Sequence, residues 1–301
     1  MALLKVEAEK LSQNDVVQGI IEEIITVNEM FHVLPFAKVS GKAYLYKREN
    51  TLASATYLDP NDTVVEEAST FTEIITKLRI LAGDVDVDKF LAETMSDTED
   101  QLATQIALKA KGMARVFQLS MVEGNNGTNP KEFDGLKALV TAGQTIAVGA
   151  NGGAFTLALL DQLIDQVPNK PDFLVMRSGT RRAYTALLRA SGGTQPAMIE
   201  LPNFGKPVLS HNGVPILIND FLPANETKGT ATGICCSIYA VRANELDGLH
   251  GLFGGASAGI RVESIGTVQN KDATRTRLKW YVGMALKSTK SVARLEGVTN
   301  V

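Results

Sequence analysis

The sequence is poor in the residues that cross-link small secreted proteins or carry out acid–base chemistry. Its 301 residues include two cysteines and three histidines. The cysteines, Cys235 and Cys236, are neighbours and too close for an ordinary unstrained disulfide, so we expect a reducing compartment. The histidines, His32, His211 and His250, have no carboxylate at a spacing typical of general acid–base catalysis. A disulfide scaffold is therefore excluded, and few residues are suited to acid–base catalysis.

An excess of positive charge is also missing. The chain has 33 acidic against 30 basic residues, a net charge of −3. Proteins that hold nucleic acid mainly by charge carry an obvious basic excess. Any contact with DNA must therefore be passive or local.

Long apolar runs are absent. Residues 1–10 alternate charged and apolar side chains and lack the apolar stretch of a secretory signal, so we expect the product to stay in the cytoplasm. Residues 138–160 carry no charge and are long enough to span a membrane. Their many glycine, threonine and asparagine residues predict a loop that leads into a helix instead.

Helical periodicity is strongest in two segments. After Ser12, apolar residues recur at helical spacing to Ile25, and Pro35 ends the segment. Residues 96–99 form a capping box, and the apolar residues that follow step by three or four as far as Met121. Gly124 then provides a helix end. The pattern predicts a helix over residues 97–123, about 40 Å long.

Two alternating stretches, residues 42–48 and 71–80, flank a turn signal at residues 59–62. They predict a long two-stranded excursion with a polar, irregular tip. Because an isolated ribbon is marginally stable in water, it needs support from a neighbouring surface, which could be another subunit.

The second half of the chain predicts mixed helices and strands. The helices fall at residues 155–167 and 180–190. The strands fall at residues 171–176, 214–218, 233–241, 260–265 and 276–285. A glycine-rich joint at residues 254–259 precedes the last two strands. Together these elements indicate a mixed α/β organisation.

Ser257 lies in a Gly-x-Ser-x-Gly pattern, which in one hydrolase fold exposes a nucleophilic serine on a strand-to-helix turn. That fold needs a histidine later in the chain, but all three histidines precede Ser257. The residues after Gly259 also predict a strand. The pattern therefore favours a glycine hinge.

Other candidate motifs are incomplete. Asp84, Asp86 and Asp88 resemble the start of a calcium loop, but Lys89 and Met95 occupy the places of its glycine and glutamate. The valines between the aspartates indicate instead an extended segment with one solvated and one buried face. The glycine-rich segments 149–153 and 251–255 lack the lysine of a phosphate-binding loop, and the cysteines have no partner at metal spacing. We therefore predict no catalytic, cofactor-binding or metal-binding residue.

Three arginines cluster around the start of the helix predicted at residues 180–190. They are Arg177, Arg181 and Arg182. They indicate either a solvated helix face or a contact with an anion or a subunit.

The order of several short segments resembles one family. Leu34-Pro-Phe36 and Val39-Ser-Gly41 lead into the hairpin, Leu81-Ala-Gly-Asp-Val-Asp-Val-Asp-Lys-Phe90 leads to the long helix, and Glu132-Phe-Asp-Gly-Leu136 follows it. This series resembles the major capsid proteins of tailed double-stranded DNA phages, which have the Hong Kong 97 fold.

The resemblance implies an α+β subunit with four parts. They are an N-terminal arm (1–35), an extended β-hairpin loop (36–80), a peripheral domain with a long spine helix (81–142 and 255–301) and an axial α/β domain (143–254). It implies self-assembly, as pentamers and hexamers, into an icosahedral shell around a double-stranded DNA genome. The location would be the virion, after assembly in the bacterial cytoplasm.

The resemblance also implies partners. Only a short arm precedes the hairpin, so we expect a separate scaffolding protein, with a portal and a decoration protein as further partners and DNA contacted non-specifically. Some relatives cross-link a lysine of the extended loop to a neighbour. Lys42 and Lys47 lie in that region, but no acidic catalyst can be assigned, and we predict no cross-link.

Two alternative functions stay open from the sequence. The first is an encapsulin-like compartment, which has the same fold but holds an enzyme cargo. The second, from a different class, is a serine hydrolase that uses Ser257.

Overall fold

The structure is a computed structural model that describes residues 29–94, 101–192, 197–200, 207–255 and 259–300. Most of the predicted arm helix, the capping box at residues 96–99 and Ser257 lie outside these ranges. The helices are α1 (Met30–Val33), α2 (Lys89–Thr94), α3 (Gln101–Glu123), α4 (Leu136–Leu139), α5 (Leu157–Asp165) and α6 (Ser178–Ala190). Short 3-10 turns cover Ala142–Gln144 and Thr289–Ser291.

The strands form three sheets. In chain order they are β1 (Phe36–Val39), β2 (Ala43–Thr51), β3 (Thr70–Lys77), β4 (Arg79–Asp88), β5 (Thr145–Ala147), β6 (Phe173–Met176), β7 (Met198–Glu200), β8 (Pro207–His211), β9 (Val214–Ile218), β10 (Glu226–Lys228), β11 (Ala231–Val241), β12 (Leu249–Gly254), β13 (Arg261–Thr267), β14 (Ala273–Leu286) and β15 (Val292–Val298).

Strands β2 and β3 pair antiparallel to form the hairpin, which confirms the predicted two-stranded excursion. The segment predicted as one strand over residues 71–80 divides at Leu78. After that residue the chain leaves the hairpin, and β4 pairs with β14 instead. The prediction of one strand was wrong because both halves alternate, and alternation does not show where a strand changes its partner.

Helix α3 packs across the five-stranded sheet, in which β1, β12, β14 and β13 are neighbours and β4 also pairs with β14. This confirms the predicted long helix from Gln101 to Glu123. Phe117, which is 1% exposed, contacts Trp280 of β14 with ring centroids 4.5 Å apart. It also packs on Phe36 and Phe133. The apolar stripe of α3 is therefore the stripe that covers this sheet.

The eight-stranded sheet runs β5-β15-β11-β6-β9-β8-β7, with β10 beside β11. The parallel pairs are β6–β9 and β15–β5. Helices α5 and α6 contribute to a core cluster that also includes side chains of β6, β9, β11 and β15. Thr156 caps α5 by accepting a hydrogen bond from the backbone N–H of Leu159.

Three strands, β1, β12 and β15, pair with strands of a different part from the one in which the resemblance places them. Strand β1 pairs with β12, so both belong to the five-stranded sheet. The C-terminal strand β15 leaves that sheet and joins the eight-stranded one beside β11. These pairings join residues up to about 215 positions apart, such as Phe36 and Gly251. No local pattern could have placed them.

The uncharged segment at residues 138–160 is not one helix. It contains the end of α4, a 3-10 turn, β5 and the start of α5. Among the described residues, no helix combines the length and apolar character needed to cross a membrane.

Candidate assembly surfaces

The alternating aspartates of β4 are engaged in ion pairs. Asp86 accepts two hydrogen bonds from Arg275 at 2.6 and 2.7 Å, and Asp84 accepts two from Arg277 at 2.7 and 2.9 Å. These bonds hold the pKa of both carboxyls below the ordinary value. The intervening Val85 and Val87 are buried, as the pattern of one solvated and one buried face predicts. In the described part of the chain, no cluster of three or more metal-ligating side chains occurs.

His211 has polar partners that the sequence does not reveal. Its Nε2 lies 2.8 Å from Asp161 Oδ1, and its Nδ1 lies 3.0 Å from the Tyr184 hydroxyl. Burial, and then the charge of Asp161, raise the pKa of Tyr184, so this hydroxyl stays protonated. The group ties α5, α6 and β8 together. Asp161 and His211 are 50 positions apart, and no sequence pattern indicates that they are in contact.

His250 is fully buried, and its ring packs edge-on against Tyr44 of the hairpin, with centroids 5.6 Å apart. Desolvation lowers its pKa, so the ring is neutral near pH 7. Its position makes it part of the hairpin's seat on the five-stranded sheet.

Both cysteines are buried free thiols in β11, as the sequence indicated. Cys236 Sγ lies 3.2 Å from the Thr180 hydroxyl. Burial raises the pKa of Cys236 to about 11, so the reactive thiolate is scarce at neutral pH.

The three arginines of the predicted cluster have two different roles. Arg177 donates hydrogen bonds to the backbone carbonyls of Asp220 and Leu222, so it fixes a loop. Arg181 and Arg182 are exposed on the outer face of α6. With Arg189 they line a groove of about 500 Å³, which we call the α6 groove. The remaining lining residues of the groove are Ser178, Gly179, Thr185, Met198, Pro207 and Leu209.

The hairpin has one face seated on the body. Tyr46 donates a hydrogen bond to the carbonyl of Leu286 at 2.7 Å. Arg48 donates to the carbonyls of Leu286 and Lys287, each at 2.8 Å. Tyr44 and Tyr46 also pack against a small core cluster at the end of the five-stranded sheet. The base of the hairpin is thus fixed by its own chain.

The opposite face of the hairpin carries large apolar side chains in water. Leu45 is 54% exposed and lies across the strand pair from Ile75, which is 57% exposed. Phe71, 66% exposed, lies opposite Glu49, and Lys47 lies opposite Glu73 between these pairs. An apolar face of this kind on a two-stranded ribbon marks a binding surface.

Residues 52–69 form the hairpin tip, which has no regular strand or helix. Side-chain bonds join its two arms: Thr51 to Thr70, Ala53 to Ser69, and Ser54 to Glu67. Further along, the side chain of Tyr57 is fully exposed, and those of Val64 and Val65 are 76% and 71% exposed. The tip therefore has defined arms at its base and unburied apolar groups at its end.

A buried ion-pair cluster joins α4 to the eight-stranded sheet. Glu226, whose side chain is 7% exposed, lies 3.0 Å from Arg294 and 2.9 Å from Lys137. Ser237 also donates a hydrogen bond to it. Burial alone would raise the pKa of Glu226, but the bonds from Lys137 and Ser237 and the charge of Arg294 bring it below the ordinary value. The cluster holds the long-helix side of the molecule against β10 and β15.

Solved shell proteins share this fold over nearly the whole chain. The SrpI encapsulin of Synechococcus elongatus PCC 7942 is 21% identical, with a TM-score of 0.75 and coverage of 100% of this chain and 98% of that one. The capsid of an empty GTA particle is 14% identical, with a TM-score of 0.72 and 96% coverage of both chains. A chain of Microbacterium phage Oxtober96 is 15% identical, with a TM-score of 0.65 and 98% coverage of both. The fold is the Hong Kong 97 fold, and it defines a class of shell-forming proteins.

The sequence itself identifies the family. Residues 51–228, more than half of the chain, match the profile of the SU10 major capsid protein. The chain belongs to the SU10 major capsid protein family, and it is a structural protein of the virion. No curated protein matches the sequence significantly.

Proposed function

We propose that copies of this chain form an icosahedral shell around a double-stranded DNA genome, and that the exposed face of the hairpin is a principal contact between neighbouring copies. The observation that carries the proposal is the row of Leu45, Ile75 and Phe71, each more than half exposed on a ribbon whose other face is already seated. In a capsid protein, a neighbouring subunit is the surface available to cover such a row.

The energy of this contact is modest per copy. Full burial of a large apolar side chain contributes about 1.5–3 kcal/mol, so completing the burial of three half-exposed ones contributes on the order of 3 kcal/mol. One such contact is weak in solution. A closed shell repeats it at every subunit, which lets weak contacts produce a stable particle that can still correct errors during assembly.

The sheets support an assignment of the chain to the four parts that the resemblance implies. The N-terminal arm would end near residue 35, and the extended loop would run from Ala43 to Lys77. The peripheral domain would hold α3 and the five-stranded sheet, including β1 and β12. The axial domain, which would meet its copies around the fivefold and sixfold axes, would hold the eight-stranded sheet, including β15.

The partners beyond the chain itself are inferred from the family. They are a separate scaffolding protein, a portal and a decoration protein, with the genome contacted non-specifically and assembly in the host cytoplasm. The net charge of −3 supports weak contact with DNA. A near-neutral inner wall would let the genome slide during packaging and ejection.

The encapsulin alternative shares the fold and is not favoured, because the profile that matches is that of a phage capsid protein. The two functions predict different contents. Particles treated with nuclease and then opened should release double-stranded DNA if the shell encloses a genome. Release of an enzyme without DNA would favour the compartment.

We also propose that the chain has no catalytic role. His211 and His250 are held in packing positions, and Ser257, the serine of the hydrolase alternative, lies outside the described residues. A fluorophosphonate probe should leave the protein unlabelled. Labelling that disappears in Ser257→Ala would contradict this proposal.

The contact face can be tested with the double variant Phe71→Ser and Ile75→Ser. Because both side chains are exposed in the single chain, the unassembled subunit should keep its melting temperature, while the yield of closed particles falls at least tenfold. Leu246→Ser is the matched control, since Leu246 is 87% exposed in a loop of the body. Normal particle yield from the double variant, measured by sedimentation and electron microscopy, would contradict the assigned contact.

A further inference from the structure

The distal half of the hairpin carries charge of one sign. Between residues 49 and 76 there are six acidic residues and no lysine or arginine. The six are Glu49, Asp59, Asp62, Glu66, Glu67 and Glu73. At the tip, Glu66 and Glu67 directly follow the exposed Val64 and Val65. This segment combines apolar side chains with negative charge, and its own chain leaves both exposed to solvent.

The α6 groove has the complementary character. Helix α6 contains three arginines and no acidic residue. All three line the groove, together with the apolar side chains of Met198, Pro207 and Leu209. Met198 is 61% exposed. A groove lined by both apolar side chains and arginines fits a segment that combines apolar side chains with negative charge.

Several other arginines in the described ranges have acidic partners. Arg275 and Arg277 pair with the aspartates of β4, and Arg294 pairs with Glu226. By contrast, no ion pair to a described residue involves Arg181, Arg182 or Arg189. The positive charge of the α6 groove is therefore available to a second molecule.

We propose that residues 64–67 of a neighbouring copy lie in the α6 groove, where their valines contact its apolar side chains and their glutamates pair with its arginines, Arg181 and Arg182. This inference rests on the proposed assembly and adds the partner surface of the hairpin tip. Complementary charge of this kind selects the register of a contact and suppresses wrong pairings.

The hairpin projects residues 64–67 well beyond its base. Nine residues of β2 rise about 30 Å at 3.3 Å per residue, and the bond from Ser54 to Glu67 places Glu67 beside the third residue after Thr51, up to about 10 Å further along. The bonds from Thr51 to Thr70 and from Ser54 to Glu67 keep the two arms together over the first part of the tip. The tip can thus cross the body of an adjacent subunit while its base stays seated.

Charge reversal tests the pairing. The tip variant Glu66→Lys with Glu67→Lys, and the groove variant Arg181→Glu with Arg182→Glu, should each reduce particle yield about tenfold or more, because like charges would then face each other. The chain that carries all four changes should recover most of the yield. Lys131→Glu, an exposed lysine elsewhere on the body, is the control for a change of net charge and should assemble normally.

The melting temperature of each unassembled variant shows whether it folds. If folded groove and tip variants both fail to assemble and the fourfold variant does not recover, the groove binds something other than the tip, and the proposal is wrong. Normal assembly of either reversed pair would also overturn it.

Site-specific cross-linking provides a second readout. Particles of Val65→Cys with Thr185→Cys, treated with a short bis-maleimide, should give a ladder of covalently linked chains on a denaturing gel. Val65→Cys with Lys131→Cys is the matched control and should stay single. Particles without a ladder would overturn this inference and leave the proposed function standing, whereas failure of the wild-type chain to form particles would overturn the proposed function itself.

Discussion

At the scale of single residues, Glu226 shows how the chain stabilises a buried charge. A carboxylate that is almost fully buried remains ionised only because Arg294, Lys137 and Ser237 surround it. Removing Glu226 would take the closest carboxylate away from the buried Arg294. The Asp84–Arg277 pair between β4 and β14 is different, because both of its side chains are partly exposed and water can replace a lost partner there.

Glu226→Gln should therefore lower the free energy of unfolding by about 3 kcal/mol, the usual cost of breaking a buried ion pair. Denaturant unfolding of the unassembled subunit measures it. Glu263→Gln removes the half-exposed partner of Lys279 and serves as the control, with an expected loss under about 1 kcal/mol. Equal losses for the two variants would contradict the special position of Glu226.

The same cluster predicts a pH dependence. In the folded chain the pKa of Glu226 lies below its ordinary value of 4.5. Its stabilising contribution is complete above the unfolded-state pKa and is lost as pH falls through the lower folded-state pKa. The difference in unfolding free energy between wild type and Glu226→Gln should thus shrink as pH falls below about 4.5. A difference that stays constant down to pH of about 3 would show that the charge of Glu226 is not its source.

At the scale of elements, helix α3 and the hairpin depend on different support. Helix α3 is held by its own chain through Phe117, which lies among Phe36, Phe133 and Trp280. The hairpin is held at its base by hydrogen bonds from Tyr46 and Arg48 and by the packing of Tyr44 against His250. Helix α3 should therefore control the stability of the subunit, and the hairpin should control assembly.

Phe117→Ala should cost about 3–5 kcal/mol of unfolding free energy, because it opens a cavity between α3 and the five-stranded sheet. Leu119→Ala is the control on the same helix, since Leu119 is 44% exposed and its loss should cost less than about 1 kcal/mol. Chemical denaturation compares them. A small effect of Phe117→Ala would mean that the helix is not anchored through this ring.

Arg48→Ala should release the hairpin without unfolding the body. It removes two hydrogen bonds to the end of β14, and each contributes about 1 kcal/mol. Hydrogen exchange of the amides of β2 and β3 should become about tenfold faster or more, while the amides of β11 are unchanged. Lys47→Ala, one residue away on the outer face, should have little effect. Unchanged exchange in Arg48→Ala would show that these bonds do not hold the hairpin.

Elements with a strong local pattern were predictable from the sequence. The step of three and four residues predicted α3, and the alternation around Val85 and Val87 predicted a half-buried strand. Contacts between distant residues were not predictable. The approach of His211 to Asp161, and the move of β15 into the eight-stranded sheet, depend on tertiary packing that leaves no periodic mark. The assembly face of the hairpin was expected from the instability of a lone ribbon, but the α6 groove became visible only when β7 and β8 were placed beside α6.

At the scale of the whole molecule, the chain is a stable body with a hairpin whose outer face and tip are left in water. That arrangement suits a protein whose surface is completed by its copies. The contacts available are apolar on the face of the hairpin and electrostatic at its tip. Both kinds can form and break without covalent chemistry.

Boiled particles should therefore run on a denaturing gel as single chains of about 32 kDa. Lys42 and Lys47 are exposed hairpin lysines, and we assign no acidic catalyst that would promote an isopeptide bond. Covalent rings too large to enter the gel would contradict this prediction. Lys42→Arg and Lys47→Arg would then identify which lysine is linked.

Cryo-electron microscopy of the purified protein, at a resolution that separates subunits, would show whether the hairpin joins neighbouring copies. We expect closed icosahedral shells in which the hairpin of each subunit lies across a neighbour and covers Leu45, Phe71 and Ile75. A protein that stays as monomers or small open oligomers under assembly conditions, or a shell in which these three side chains still face solvent, would contradict it.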